Sequence, residues 1–145
     1  MGCAGGVEKD VGEFVNMNED YILFLDQKRI GITKLDKADA PMGVVFGKIF
    51  FDDPTIGYDY IKDYCLNNDV YFSSDDEDRS ISTYNIPRLV VVNKDGVAIK
   101  GQSTFVDGME LYEFIINIVG IPYPFYEEEF PHHVKEYNER WKNME

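Results

Sequence analysis

The sequence predicts a single α+β domain, in which an antiparallel sheet of hairpins and a meander carries helices on one face. Three observations predict it. Runs rich in Val, Ile and Phe are bounded by short turn signals, as in "DYILFLDQKRIGITKLD", "VVFGKIFF" and "RLVVVNKDGVAIKG". Apolar residues recur at helical spacing in three other stretches. A length of 145 residues with no long linker fits one domain with a real core.

Residues 1–18 are glycine-rich and polar, and are expected to form a flexible N-terminal segment ahead of the domain at 19–145. The start, Gly2 followed by Cys3, resembles that of dually acylated proteins. The acylation pattern, however, wants Ser or Thr at position 6, where this chain has Gly6. Tyr21 to Leu25 and Ile30 to Leu35 read as a hairpin joined by Asp26 to Arg29. "KADAPMG" reads as a turn, and "VVFGKIFF" as a third strand with a bulge or close approach at Gly47.

A helix follows. Tyr58, Ile61, Cys65 and Leu66 form one apolar stripe, with Asp52 or Asp53 as cap, Pro54 in the first turn and Asn67-Asn68 as the stop. "VYFSS" is a short strand running into the acids Asp75, Asp76, Glu77 and Asp78. Leu89 to Val92 and Val97 to Ile99 read as a second hairpin about an Asp-Gly turn. A helix is predicted from about Asp107 to Val119, with Met109, Tyr112, Ile115, Ile116 and Val119 on one face and Gly120 as its left-handed cap.

"GIPYPFYEEEFPHHVKEY" brings three prolines, three consecutive glutamates and both histidines together. Glu128/His132 and Glu129/His133 have the i, i+4 spacing of metal ligands, but Pro131 stands between them and disfavours a continuous helix. Past Pro131, the residues Phe130, Val134, Tyr137 and Trp141 form a stripe that is expected to dock a last helix. The histidines are read as structural.

Charge narrows the function classes. Fourteen basic against 27 acidic residues give a net of −13, which repels phosphate backbones and anionic membrane surfaces and attracts a basic protein. No apolar run has the length of a membrane span, and the N-terminus lacks a signal-peptide core. Cys3 and Cys65 form no Cys-x-x-Cys pair, so a reducing, cytoplasmic setting is expected. The chain contains no G-x-S-x-G, no phosphate-binding G-x-x-x-x-G-K and no G-x-G-x-x-G. A calcium loop starting at Asp75 fails, because Arg79 falls at its fifth position and Ile86 at its twelfth.

"YNIPRLVVVNKDGVAIKG" followed by a helix resembles the second half of thioredoxin-like proteins, where Ile-Pro enters a central strand before a tight turn, an edge strand and the last helix. The resemblance covers about residues 44–119. It implies an α/β fold with Pro87 in cis and, with the family's Cys-x-x-Cys absent, no disulfide activity.

These readings lead to one expected function, a non-enzymatic acidic binding module that acts as an inhibitor or immunity protein neutralising a basic toxin or nuclease. Two other classes fit the sequence. One is a redox-inactive thioredoxin-like domain, and the other an enzyme using scattered carboxylates or a metal near His132 and His133. The partner-binding residues expected are Asp75, Asp76, Glu77 and Asp78, with Tyr123, Tyr126, Glu127, Glu128 and Glu129. No catalytic residue, metal ligand or cofactor is expected.

Overall fold

The computed structural model describes residues 20–143, so the N-terminal segment 1–18 with its Gly2–Cys3 start lies outside the described residues. The chain is an α+β domain built on one antiparallel sheet. In chain order come β1 (Tyr21–Leu25), β2 (Lys28–Thr33), β3 (Lys37–Asp39), a 3-10 turn (Ala40–Met42), β4 (Val44–Phe51) and α1 (Tyr58–Asn67). Then follow β5 (Phe72–Asp75), β6 (Ser80–Thr83), β7 (Leu89–Val92), β8 (Ser103–Met109), β9 (Phe114–Val119), α2 (Phe125–Glu129) and α3 (Pro131–Asn143). The sheet runs β5-β6-β8-β9-β4-β2-β1-β7, with β3 paired to β4 beyond the end of β2. Among the described residues no helix is long and apolar enough to cross a membrane.

The β1–β2 hairpin forms as its sequence dictates. Asp26 and Gln27 take φ of 53° and 73°, and two left-handed central residues match the twist of the flanking strands. Between β2 and β3 the chain steps out of register at Leu35, whose φ is 49°. Gly47 faces that step. A Cβ there would lie 2.9 Å from both the Leu35 nitrogen and the Thr33 hydroxyl, so only glycine lets the two backbones approach, as its place in the third strand predicts.

Alternation sorts the side chains. Leu23, Val45, Val91, Ile116 and Ile118 point to an inner face and are fully buried, while their neighbours Ile22, Phe46, Val90, Ile115 and Val119 stay partly exposed. The sheet curls enough for the chain before β7 to reach β8, where the Ile86 N–H donates to the Thr104 carbonyl at 2.9 Å. α1 covers part of the inner face with Tyr58, Ile61 and Cys65, and Tyr126, Phe130 and His133 cover the rest. Each large apolar side chain so buried contributes about 1.5–3 kcal/mol.

Several expectations are corrected. Residues 107–119 form the β8–β9 hairpin and not a helix. Phe114, Ile116 and Ile118 alternate into the core on a β-branched run, and pairing with β4 and β8 gains more than one helical stripe could. Gly120 is left-handed, with φ of 72°, but it ends a strand. Val97 to Ile99 return beside β7 through an isolated Val92–Ala98 bridge and not as a full strand. α1 starts at Tyr58 behind Gly57, because Asp53 spends its carboxylate on the Thr55 N–H and hydroxyl, and Leu66 turns to solvent. "KADAPMG" holds a short strand as well as a turn. The path implied by the thioredoxin-like resemblance is not followed, since every pairing is antiparallel and the cis proline among the described residues is Pro124.

α3 begins at Pro131 as the sequence indicates, but its stripe docks over only part of its length. Phe130 is buried, Val134 and Tyr137 are half-buried, and Trp141 is 51% exposed, so the expected burial of Trp141 is corrected.

Candidate functional site

The acidic turn between β5 and β6 splits into two halves. Asp75 accepts from the Glu77 N–H at 2.8 Å and the Asp78 N–H at 3.2 Å, so its carboxylate builds the turn. Asp76 accepts from Lys62 Nζ at 2.8 Å and from the Tyr58 hydroxyl, and these two donors, Lys62 first, hold its carboxyl below the usual range. The carboxylates of Glu77 and Asp78 have no partner among the described residues. Of the four predicted steering acids, two therefore serve the fold.

Arg79 closes the turn. Its Nε donates to Glu110 at 2.6 Å and its terminal nitrogen to Asp59 at 2.7 Å, while the guanidinium lies 4.9 Å from the centre of the Tyr58 ring. Glu110 and then Asp59 raise its pKa further. The two bases near the turn, Lys62 and Arg79, are thus both engaged within the chain.

The second predicted cluster divides in the same way. Tyr126 is fully buried, its hydroxyl donating to the Val44 carbonyl at 2.9 Å, which removes it from the exposed surface. Burial raises its pKa strongly. Glu129 accepts from the Tyr21 hydroxyl and from Asn93 Nδ2, each at 3.0 Å, and so ties α2 to β1 and to the turn after β7. Tyr123 donates to the Ala40 carbonyl at 2.8 Å but keeps 47% of its surface exposed. Glu127 and Glu128 are open to solvent.

The histidines have separate surroundings. His133 is buried, and its Nε2 donates to the Leu35 carbonyl at 2.9 Å, fastening α3 to the step between β2 and β3. His132 lies beside it, with ring centres 4.1 Å apart and planes tilted by 44°. Burial first, and then the His133 charge, lower its pKa. Among the described residues no three His, Cys, Asp or Glu side chains converge as metal ligands. Cys65 is buried in α1, and burial pushes its thiol up to about 11, where it stays protonated.

The feature that sequence reasoning misses lies on the outer face of β5, β6 and β8. A cleft of about 890 Å³ opens there, with Met109 and Ile115 among its apolar lining. Asp75, Asp107 and Glu113 stand at its rim, and among the described residues no lysine or arginine lines it. Asp107 accepts from the Ser82 hydroxyl at 2.6 Å and from Asn117 Nδ2 at 3.2 Å, two neutral donors that orient the carboxylate without cancelling its charge. Beside the cleft the β8–β9 turn holds out Leu111, which is 97% exposed at φ of 73°, and Tyr112, which is 78% exposed. A left-handed leucine facing water is unusual and marks a constrained turn. The alternation of "FIINIV" was the signal that could have placed Asp107 and Glu113 on this face.

Compared with models of known protein families, with curated proteins and with solved structures, the chain finds no match.

Proposed function

We propose that the chain is a non-enzymatic binding module that meets a basic protein, in the manner of an inhibitor or immunity protein neutralising a basic toxin or nuclease, in the cytoplasm. One observation carries the reading. Among the described residues, an acid-rimmed cleft lined by no base sits on a sheet face that no helix covers, next to Leu111 and Tyr112 held out in solvent. Apolar and aromatic side chains at the centre with uncompensated charge around them are the composition of a protein interface. The net charge of −13 favours a cationic protein over nucleic acid or an anionic lipid surface.

The experiment is to immobilise the chain, identify the protein it retains from its host, and measure association at low and at physiological salt. A basic partner is expected, with an association rate that falls by roughly tenfold or more as salt screens the steering field. Replacing Glu77 and Asp78, the two acids free of structural duty, by Gln and Asn should slow association while leaving the melting curve in place. A partner without excess positive charge, or a rate indifferent to salt, would sink the reading.

A further inference from the structure

We propose that the open edge of β5 and the cleft beside it receive an extended Lys- or Arg-bearing segment of a partner protein, laid along β5 as an added strand. This rests on the reading of a basic partner and states where and how that partner is gripped.

The two ends of the sheet differ. At β7 the outer edge is occupied, since Val92 bridges Ala98 and the Ile99 N–H donates to the Val91 carbonyl at 2.7 Å. At the other end β5 pairs with β6 on one side and, among the described residues, with no strand on the other. Unpaired peptide groups along a sheet edge are a template for an incoming strand. An added strand also presents alternate side chains to one face, and here that face is the cleft. Its volume of about 890 Å³ is that of a binding site, which typically spans about 300–1,000 Å³.

Charge chooses the occupant. Asp75, Asp107 and Glu113 pair with no lysine or arginine among the described residues, and the neighbouring Lys62 and Arg79 are already engaged. On the same face Lys48 stands opposite Ile115 on β9, and its ammonium lies over the Phe50 ring at 5.4 Å. An acidic segment would meet three carboxylates. A lysine or arginine would lay its methylene stem on Met109 and Ile115 and bring its charge to the rim.

The test uses two synthetic peptides, one alternating Lys with Val and the other Glu with Val, and reads affinity together with amide hydrogen exchange of Phe72–Asp75. The Lys peptide is expected to bind and to slow exchange in β5, and the Glu peptide to fail. Asp107→Asn/Glu113→Gln should weaken binding by at least about tenfold, the scale on which paired interfacial charges act. Glu136→Gln/Glu139→Gln, an equal charge change on the exposed side of α3, should hold affinity within about twofold. Ser73→Lys, which puts an ammonium at the exposed edge, should give the same loss as the cleft variant and stands in for it if that variant does not fold.

Equal losses in the cleft and α3 variants would reduce the effect to diffuse attraction and overturn the site. Binding without protection in β5 would overturn it too. A basic host partner that binds the cleft variant as tightly as the parent chain would remove the site while leaving the basic-partner reading intact. A host partner of the wrong charge would defeat that reading, and the peptides would still judge the cleft.

Discussion

On the inner face of the sheet Leu23, Val45, Val91 and Ile116 lose all contact with solvent, and Phe130 and Tyr126 close over them from the C-terminal helices. One residue along each strand, Ile22, Phe46, Val90 and Ile115 stay partly exposed. Both sets are apolar, so hydrophobicity alone does not decide which face is covered. Polar tethers separate them. Tyr126 to Val44, Glu129 to Tyr21 and Asn93, and His133 to Leu35 fix α2 and α3 over the inner face, whereas among the described residues no such tether crosses the outer one. Apolar surface left over after such tethering is surface for something else.

The largest expected effect tests this contrast directly. Phe130→Ala should cost about 3–5 kcal/mol, because its ring is fully buried against Tyr21, Tyr126 and His133. Phe50→Ala, on the outer face and 46% exposed, should cost about 0.5 kcal/mol or less. Urea unfolding of the two variants measures both, and comparable losses would mean that the outer face is covered after all.

A smaller effect concerns acid. His132 has a folded pKa below its ordinary value near 6.5, through burial and the facing His133, with Glu136 opposing. The unfolded chain then binds the proton more readily than the folded one. Stability from this group is intact above that ordinary value and is lost as pH falls through it toward the folded pKa. Thermal melts from neutral pH to pH near 5 should show a steeper acid loss for the parent chain than for His132→Gln. Parallel curves would mean that His132 titrates freely and that the start of α3 is less tightly seated than its contacts require.

The smallest effect belongs to the far end of α3. Trp141→Ala should lower stability by no more than about 0.5 kcal/mol, since half of the side chain faces water and its ring lies edge-on to the half-buried Tyr137. A loss of several kcal/mol would return the whole stripe to the docked helix that its spacing implies.

Legibility followed the range of the forces involved. The Asp26–Gln27 turn, the start of α3 at Pro131 and the Tyr58–Ile61–Cys65 stripe are local, and each could be read directly. The β8–β9 hairpin could not, because Met109, Tyr112, Ile115, Ile116 and Val119 satisfy a helical repeat while Phe114, Ile116 and Ile118 satisfy a strand one. The tie is broken by β4, more than sixty positions earlier in the chain. The acids of 75–78 were visible as charge. Their internal partners were not, since Lys62 and Tyr58 reach Asp76 only after α1 packs on β5 and β6. Asp107 and Glu113 were hidden by the same misread helix.

The unpaired side of β5 has a consequence for the chain's behaviour toward itself. A bare strand edge is the usual starting point of aggregation, and two copies could in principle join there into a continuous sheet. Such a contact would set a copy of the acidic turn 75–78 at each end of one short strand pair, with Lys62 and Arg79 of each copy already engaged. Like charges facing across paired strands are destabilising. The acidic turn therefore disfavours that pairing, and the carboxylates that make the edge attractive to a cation also oppose the joining of two copies through it.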